Sequence, residues 1–310
     1  MGKQLVFGGQ AVMEGVLMKS PHYQAVAVRT SKGKIAITSS KHEFLSVKNK
    51  WLNVPFIRGA FVLFETMILG IKALSWSANA SQDMEDEKLT ALEISLTLAL
   101  SLGFALVFFK LVPLLGATLL SPYLGNNNFL FNLADGLIKI LILVGYLWLI
   151  SYMKDIRRMF QYHGAEHMAV NCYESGKPLT VKNCMPFTTI NGRCGTSFIL
   201  FTLILSIIVY LIIPFGASFW EKYLFRILLL PVIGGISYEA IRLSHKYPKS
   251  ILLKIILGPG LLTQKITTKP PKKNQVEVAI KALKRVLSLE TKALSRHRVS
   301  RGRLRKQTSA

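Results

Sequence analysis

The sequence predicts an α-helical integral membrane protein: about four transmembrane helices, an interfacial or re-entrant helix ahead of them, and a small β-rich cytoplasmic unit at the N-terminus. Three observations predict it. The 310 residues are 51% hydrophobic, yet the formal net charge is +23, which suits a membrane protein with basic cytoplasmic parts better than a soluble chain. Four apolar stretches each reach the roughly 20 residues needed to cross a bilayer. The loops between those stretches differ sharply in charge. The three cysteines, Cys172, Cys184 and Cys194, are odd in number and lack paired spacing, which argues for a reducing compartment rather than a disulfide framework. Residues 1–30 mix charge, glycine and polar residues without a continuous apolar core, so no secretory signal is expected.

Residues 1–50 form the β-rich unit. Two strands are expected, Tyr23 to Arg29 and Lys34 to Ser39, turning at Ser31-Lys32-Gly33. The run Ala25-Val26-Ala27-Val28 is too apolar to leave one face in water. Residues 51–88 hold a helix from Trp51 to Trp76 and an acidic linker, SQDMEDEK. Arg58, Glu65 and Lys72 interrupt that helix at seven-residue intervals, close to one face. A true span would place charges in hydrocarbon at roughly 2.5–3.5 kcal/mol each, so the helix lies on the membrane or re-enters it. An Arg–Glu pairing inside the bundle would lower that cost.

Residues 89–245 carry the four spans, near 92–120, 129–153, 197–216 and 223–243. Lys110 lies late in the first and can snorkel to an interface. The 121–128 loop has no charge, whereas 154–197 carries Lys154, Arg157, Arg158, Lys177, Lys182 and Arg193. The excess of positive charge places this loop and both termini in the cytoplasm of a multi-pass cell-membrane protein. Residues 246–290 begin as a loop marked by Gly-Pro-Gly and Pro-Pro. They continue as an amphipathic helix with Val276, Ala279, Ile280, Leu283, Val286 and Leu287 at helical spacing. Residues 291–310 read as a disordered basic tail. That tail lacks aromatic residues to stack bases, so anionic lipid head groups explain it better than nucleic acid.

The chemistry concentrates in QYHGAEHMAV, Gln161 to Val170. On a helix, His163, Glu166 and His167 fall at i, i+3 and i+4, one face. Two imidazoles a turn apart chelate one divalent ion, zinc being the first expectation, and Glu166 is placed to activate water. His-x-x-Glu-His is the inverted zinc-protease motif and asks for a further ligand. Glu239 in the fourth span, Glu14 between the glycines of FGGQAVMEGV, and Cys194 in NGRCGTSF are the candidates. The alternatives are a polar helix end at 163–167, an exposed turn acid at Glu14, and a small buried Cys194 beside an N-cap at Thr196 or Ser197.

The carriers GGQAVMEGV, RGAFVLFE, YHGAEH, NCYESG, RCGTSF, Tyr238-Glu239, PGLLTQKITTKPP and QVEVAIKAL occur in order between about Gly8 and Leu287. In these the chain resembles the YqhQ-type family of bacterial membrane proteins, a domain of unknown function sometimes described as a metal-dependent enzyme. The resemblance implies a membrane protein and a metal role for these His and Glu residues. One departure stands out: the family leads one to expect His-Pro before RCGTSF, and this chain has Asn191-Gly192.

Three functions follow. One is a membrane-embedded metal-dependent hydrolase at the cytoplasmic face, with His163, His167 and a third residue as ligands and Glu166 acting on water. Another is a non-catalytic factor assisting the assembly or quality control of other membrane proteins. The third, a transporter, draws only on the intramembrane Glu239.

Overall fold

The computed structural model describes all residues except 1–4, 6, 43, 45–48, 83–90, 126, 193, 248–249 and 308–310. Most of the acidic linker therefore lies outside the described residues. Four antiparallel strands come first, β1 (Gly8–Val12), β2 (Gly15–Lys19), β3 (Tyr23–Arg29) and β4 (Ile35–Lys41), paired in sequence order. The helices are α1 (Ile57–Gln82), α2 (Ala91–Leu106), α3 (Val112–Leu120), α4 (Asn128–Ile150) and α5 (Lys154–Glu174). They continue as α6 (Val181–Cys184), α7 (Gly195–Val209), α8 (Phe219–Leu228), α9 (Leu230–Lys246), α10 (Ile251–Thr267) and α11 (Lys273–Gln307).

The sheet has twice the expected strands. The stretch FGGQAVMEGV is a hairpin whose ladder closes at Val12–Gly15, leaving Met13-Glu14 as a two-residue turn with Glu14 at a φ of 52°. Period-two alternation explains why these strands are apolar throughout. Val16, Met18, Ala25 and Ala27 pack with Tyr162, Ala165 and Ala169 of α5 and Val276, Ala279 and Leu283 of α11. Their neighbours Val12, Leu17, Val26 and Val28 face Ala73 of α1 on the other side. The sheet is thus sandwiched, and it fixes α5, the helix carrying the histidines.

Among the described residues, three helical stretches are long and apolar enough to cross a membrane: Ser95–Tyr123, Asn128–Ile150 and Gly195–Ile212. α8 and α9, bent by 42° where they meet, make a fourth if counted as one broken span. This arrangement is compatible with a multi-pass membrane protein. α2 and α3 are continuous through a π turn at Val107–Leu111, which carries the buried Lys110. Lys110 Nζ donates to the Tyr210 hydroxyl at 2.9 Å instead of reaching outward. Beside it, Asp135 of α4 is ion-paired with Lys139 and with Arg226 of α8, all buried. Arg226 also donates to Asn132 Oδ1 at 3.0 Å. Sequence reading passes over Asp135, Lys139 and Arg226, although Asp135 and Lys139 stand one helical turn apart inside an apolar run.

Two segments differ from expectation. The Gly-Pro-Gly stretch is not a loop but the middle of α10, with Pro259 inside the helix. Proline removes one helical hydrogen bond there, but Gly260 allows the backbone to lie against Ser197 of α7, where a Cβ would come within 2.5 Å of its Cα. Close packing of α10 on α7 outweighs the lost bond. The tail expected to be disordered is helical as far as Gln307. It is rich in Arg, Lys and Leu, good helix formers, and contains no proline to stop the helix that Val276–Val286 anchors to the sheet.

Candidate metal centre

His163 and His167 stand one turn apart on α5 and meet edge to face, with ring centroids 4.5 Å apart. Each ring is fixed by a carbonyl from a different segment. His163 Nδ1 lies 2.9 Å from the Thr267 oxygen at the end of α10, and His167 Nδ1 lies 2.5 Å from the Thr189 oxygen in the loop after α6. A carbonyl oxygen only accepts, so both Nδ1 atoms carry a proton, which leaves Nε2 of each ring as the atom that can ligate. His163 Nε2 is 3.2 Å from Cys194 Sγ. One donor atom from each of His163, His167 and Cys194 lies within 4.8 Å of the others. Zinc bonds of ~2.0–2.3 Å in a tetrahedron place donor atoms about 3.3–3.6 Å apart, so these three side chains would have to draw somewhat closer to hold one ion as a two-histidine, one-cysteine set.

The surroundings hold this set in place. Gly164 gives up helix propensity for proximity: a Cβ there would meet the Lys269 oxygen at 2.4 Å. That contact and the Lys269 N–H bond to Phe160 O, 2.9 Å, press the segment bearing the Thr267 carbonyl onto α5. Cys194 is the N-cap of α7, where the Thr196 N–H donates to its sulfur at 3.4 Å. The fully buried Gln264 of α10 fixes the Cys194 loop. Its Nε2 donates to the Asn191 oxygen at 2.8 Å and to Ser197 Oγ at 2.9 Å, and its Oε1 accepts from the Asn191 N–H at 2.9 Å. Gln264 lies in the stretch whose glycine and proline suggest a loop, so nothing in the sequence marks it as a clamp.

Glu166 is buried beside the cluster, its Oε2 3.4 Å from His167 Nε2. Burial pushes its carboxyl up to about 7 against the opposing pull of His163, so proton gain and loss are both accessible near neutrality. A carboxylate oxygen facing an imidazole lone pair is repulsive unless a proton or a cation sits between them. A cavity of about 20 Å3 adjoins, lined by Gly8, Gly9, Glu166, His167, Asn191 and Cys194 among others; it is large enough for one water. Gly9 of β1 forms the opposite wall, and a Cβ there would come within 2.5 Å of Glu166 Oε1. Asn191, the position that departs from the expected His-Pro, lines this cavity and is not among the converging donors.

Glu14 and Glu239 do not join the cluster. Glu14, at the hairpin tip, is ion-paired with Arg158 and accepts from the Tyr162 hydroxyl at 3.2 Å. Both partners stand on the turns of α5 before His163, so Glu14 ties the hairpin to that helix. Glu239 of α9 accepts from Arg58 Nε at 2.7 Å and Nη2 at 2.6 Å. Two charges expected to be costly in an apolar setting thus neutralise each other, and neither carboxylate is left to bind an ion. Cys172 and Cys184 are buried free thiols facing each other, away from the donor set.

Comparison with known proteins agrees with the order of the motifs. Residues 54–289 match the family described as "Protein of unknown function (DUF1385)". The chain is 37% identical over 297 residues to "Uncharacterized protein YqhQ" of Bacillus subtilis (strain 168), covering 92% of this chain and 93% of that protein. No solved structure matches. The family match takes in the His-x-x-Glu-His helix, Cys194 and both carbonyl-bearing segments, while β1–β4 precede it. On this match and this likeness, the chain belongs to the DUF1385 family of YqhQ-like proteins.

Proposed function

We propose that the protein is a membrane-embedded metal-dependent hydrolase working at the cytoplasmic face. In this reading His163, His167 and Cys194 hold a divalent ion, which their donor set makes zinc, and Glu166 handles the proton. The observation that carries it is the convergence of one donor atom from each of His163, His167 and Cys194 within 4.8 Å, with both Nδ1 atoms held by carbonyls and His163 Nε2 3.2 Å from the cysteine sulfur. Such outer bonds are how proteins orient histidine ligands. Zinc bound there supplies a Lewis acid that polarises a carbonyl or phosphoryl oxygen. Glu166 takes a proton from a water in the adjoining cavity and returns it to the leaving group, a task suited to a carboxyl poised near 7.

The test is metal content of the full chain in detergent, by elemental mass spectrometry, beside a His163→Ala/His167→Ala variant. Near-stoichiometric zinc in the wild type, lost in a variant with unchanged thermal midpoint in the absence of metal, is the expected result. A wild type that takes up no zinc, manganese or iron on reconstitution refutes the reading. A second reading, a non-catalytic membrane-assembly factor, gains from the spread of the site over α5, α7, α10 and the 184–194 loop, which an ion would clamp together. Turnover of an ester or amide lost in Glu166→Gln with zinc retained favours the hydrolase; wild-type function in that variant favours the clamp.

A further inference from the structure

A second cavity lies on the other side of Gly8 and Gly9 from the candidate metal centre. It measures about 440 Å3 and is enclosed by the sheet, α1 and α9. Leu17, Phe44, Val62 and Ile241 give it apolar walls, and Lys19 and Arg242 give it cations. Gly8 and Gly9 line both this cavity and the small one beside Glu166. Their exposure, on a strand otherwise covered, marks the place where the two spaces approach each other.

The charged side chains that line this cavity, among the described residues, are both basic. Lys19 Nζ sits 3.7 Å above the Phe44 ring, a contact that favours the cation. Burial still lowers its pKa to about 8, with Glu65 of α1 acting in the opposite direction. Arg242 reaches only to 3.9 Å from Glu239, whose carboxylate is already engaged by two shorter bonds from Arg58. Among the described residues, Lys19, Arg58 and Arg242 face Glu65 and Glu239, and of these only Lys19 and Arg242 line the cavity itself. An anion entering between Lys19 and Arg242 restores the interactions that burial removes.

We infer that this cavity binds the head of an anionic membrane amphiphile, a lipid bearing a phosphate or carboxylate, between Lys19 and Arg242. Its orientation as a substrate, with the labile group facing Gly8 and Gly9, rests on the hydrolase reading; the binding itself does not. A volume of 440 Å3 falls in the ~300–1,000 Å3 range of small-ligand sites. It accommodates a head group and the start of its chains, leaving the tails outside, where α1 exposes Phe61, Phe64 and Met67. Arg242 stands one residue before the end of the broken span at Leu243, the level at which a head group lies if that pair crosses the bilayer. A soluble anion would gain nothing from the apolar walls.

The experiment is a titration of the full chain in uncharged detergent, read by native mass spectrometry. The probes are dihexanoyl phosphatidylglycerol, dihexanoyl phosphatidylcholine, inorganic phosphate and an acidic hexapeptide. The expected result is a one-to-one complex with phosphatidylglycerol, about tenfold tighter than with phosphatidylcholine, as one charge-assisted contact requires. Lys19→Gln and Arg242→Gln each weaken it about tenfold, and Lys19→Arg retains it. If Lys19→Gln fails to fold, the exposed Arg242→Gln carries the test. Equal binding of the two lipids, or phosphatidylglycerol binding unchanged in the Gln variants, overturns the inference. So does phosphate binding as tightly as phosphatidylglycerol, or a peptide that binds where the lipid does not. Zinc measured in the same samples separates the two readings: charge-dependent lipid binding by a protein that takes up no metal overturns the hydrolase and leaves this site standing.

Discussion

Gly9→Ala tests the contact between β1 and Glu166. A Cβ at residue 9 would lie 2.5 Å from Glu166 Oε1 and 2.6 Å from its Cγ, about 0.9 Å inside an ordinary van der Waals contact of 3.4 Å. Glu166 is buried on the helix that the sheet itself fixes, so neither backbone yields easily. The carboxylate must turn into the 20 Å3 cavity, or β1 must lift off α5. Overpacking of this kind costs about 1–3 kcal/mol, or roughly 2–6 °C in thermal midpoint for a chain of this size. Gly8→Ala is the control for stability, because nothing lies within 4 Å of a Cβ at residue 8. Thermal unfolding in detergent gives the primary reading and zinc content the second, with zinc retained because residue 9 touches none of the three donors. Glu166→Ala in the Gly9→Ala background makes room for the methyl, so the two losses are expected to be less than additive. A Gly9→Ala protein within about 0.5 kcal/mol of Gly8→Ala refutes the claim that Glu166 is held against this strand.

The remaining expectations concern other contacts. Cys194→Ala should weaken zinc binding by more than the ~10–100-fold seen for outer contacts. Glu14→Gln and Glu239→Gln should leave zinc stoichiometry unchanged in equilibrium dialysis, since Arg158 and Arg58 engage those carboxylates. Arg58→Gln leaves Glu239, whose side chain is 14% exposed, with only Arg242 at 3.9 Å and should cost about 1–3 kcal/mol; Arg58→Met with Glu239→Leu should recover most of that loss in the thermal midpoint. Glu290 of α11 is buried, which raises its pKa, but hydrogen bonds from Ser20 and His22 outweigh this and hold it below the ordinary 4.5. Its contribution is therefore complete above about 4.5 and is lost as pH falls through the lower folded value. Melting curves between pH 7 and pH 3 should show this loss in the wild type and a smaller one in Glu290→Gln.

Helical periodicity makes part of this molecule legible from sequence, and contact across the chain hides the rest. His163, Glu166 and His167 can be read together because three or four residues make one turn, whatever the helix packs against. β3 can be read because alternation and the glycine turn are local. The β1–β2 hairpin is harder, since its glycines resemble a loop until Glu166 is known to fill the space where a side chain at residue 9 would stand. The same holds for α10, where Gly-Pro-Gly suggests a break and only the approach to Ser197 explains a continuous helix.

Charge is the least legible property, because its effect depends on partners distant in sequence. Glu239 in an apolar run stands out as a functional candidate, yet Arg58 neutralises it from 181 residues away. Asp135 and Lys139 would draw the same inference, and Arg226 of α8 completes a buried set with them. The candidate metal centre is built differently. His163, His167 and Cys194 converge, their outer hydrogen bonds are satisfied by carbonyls and a helix N-terminus, and Glu166 lies 3.4 Å from His167 Nε2. Buried ion pairs elsewhere account for themselves as structure. This cluster instead gathers three side chains of metal-ligating type within 4.8 Å of one another, and that convergence distinguishes it from the other buried polar groups along the helices.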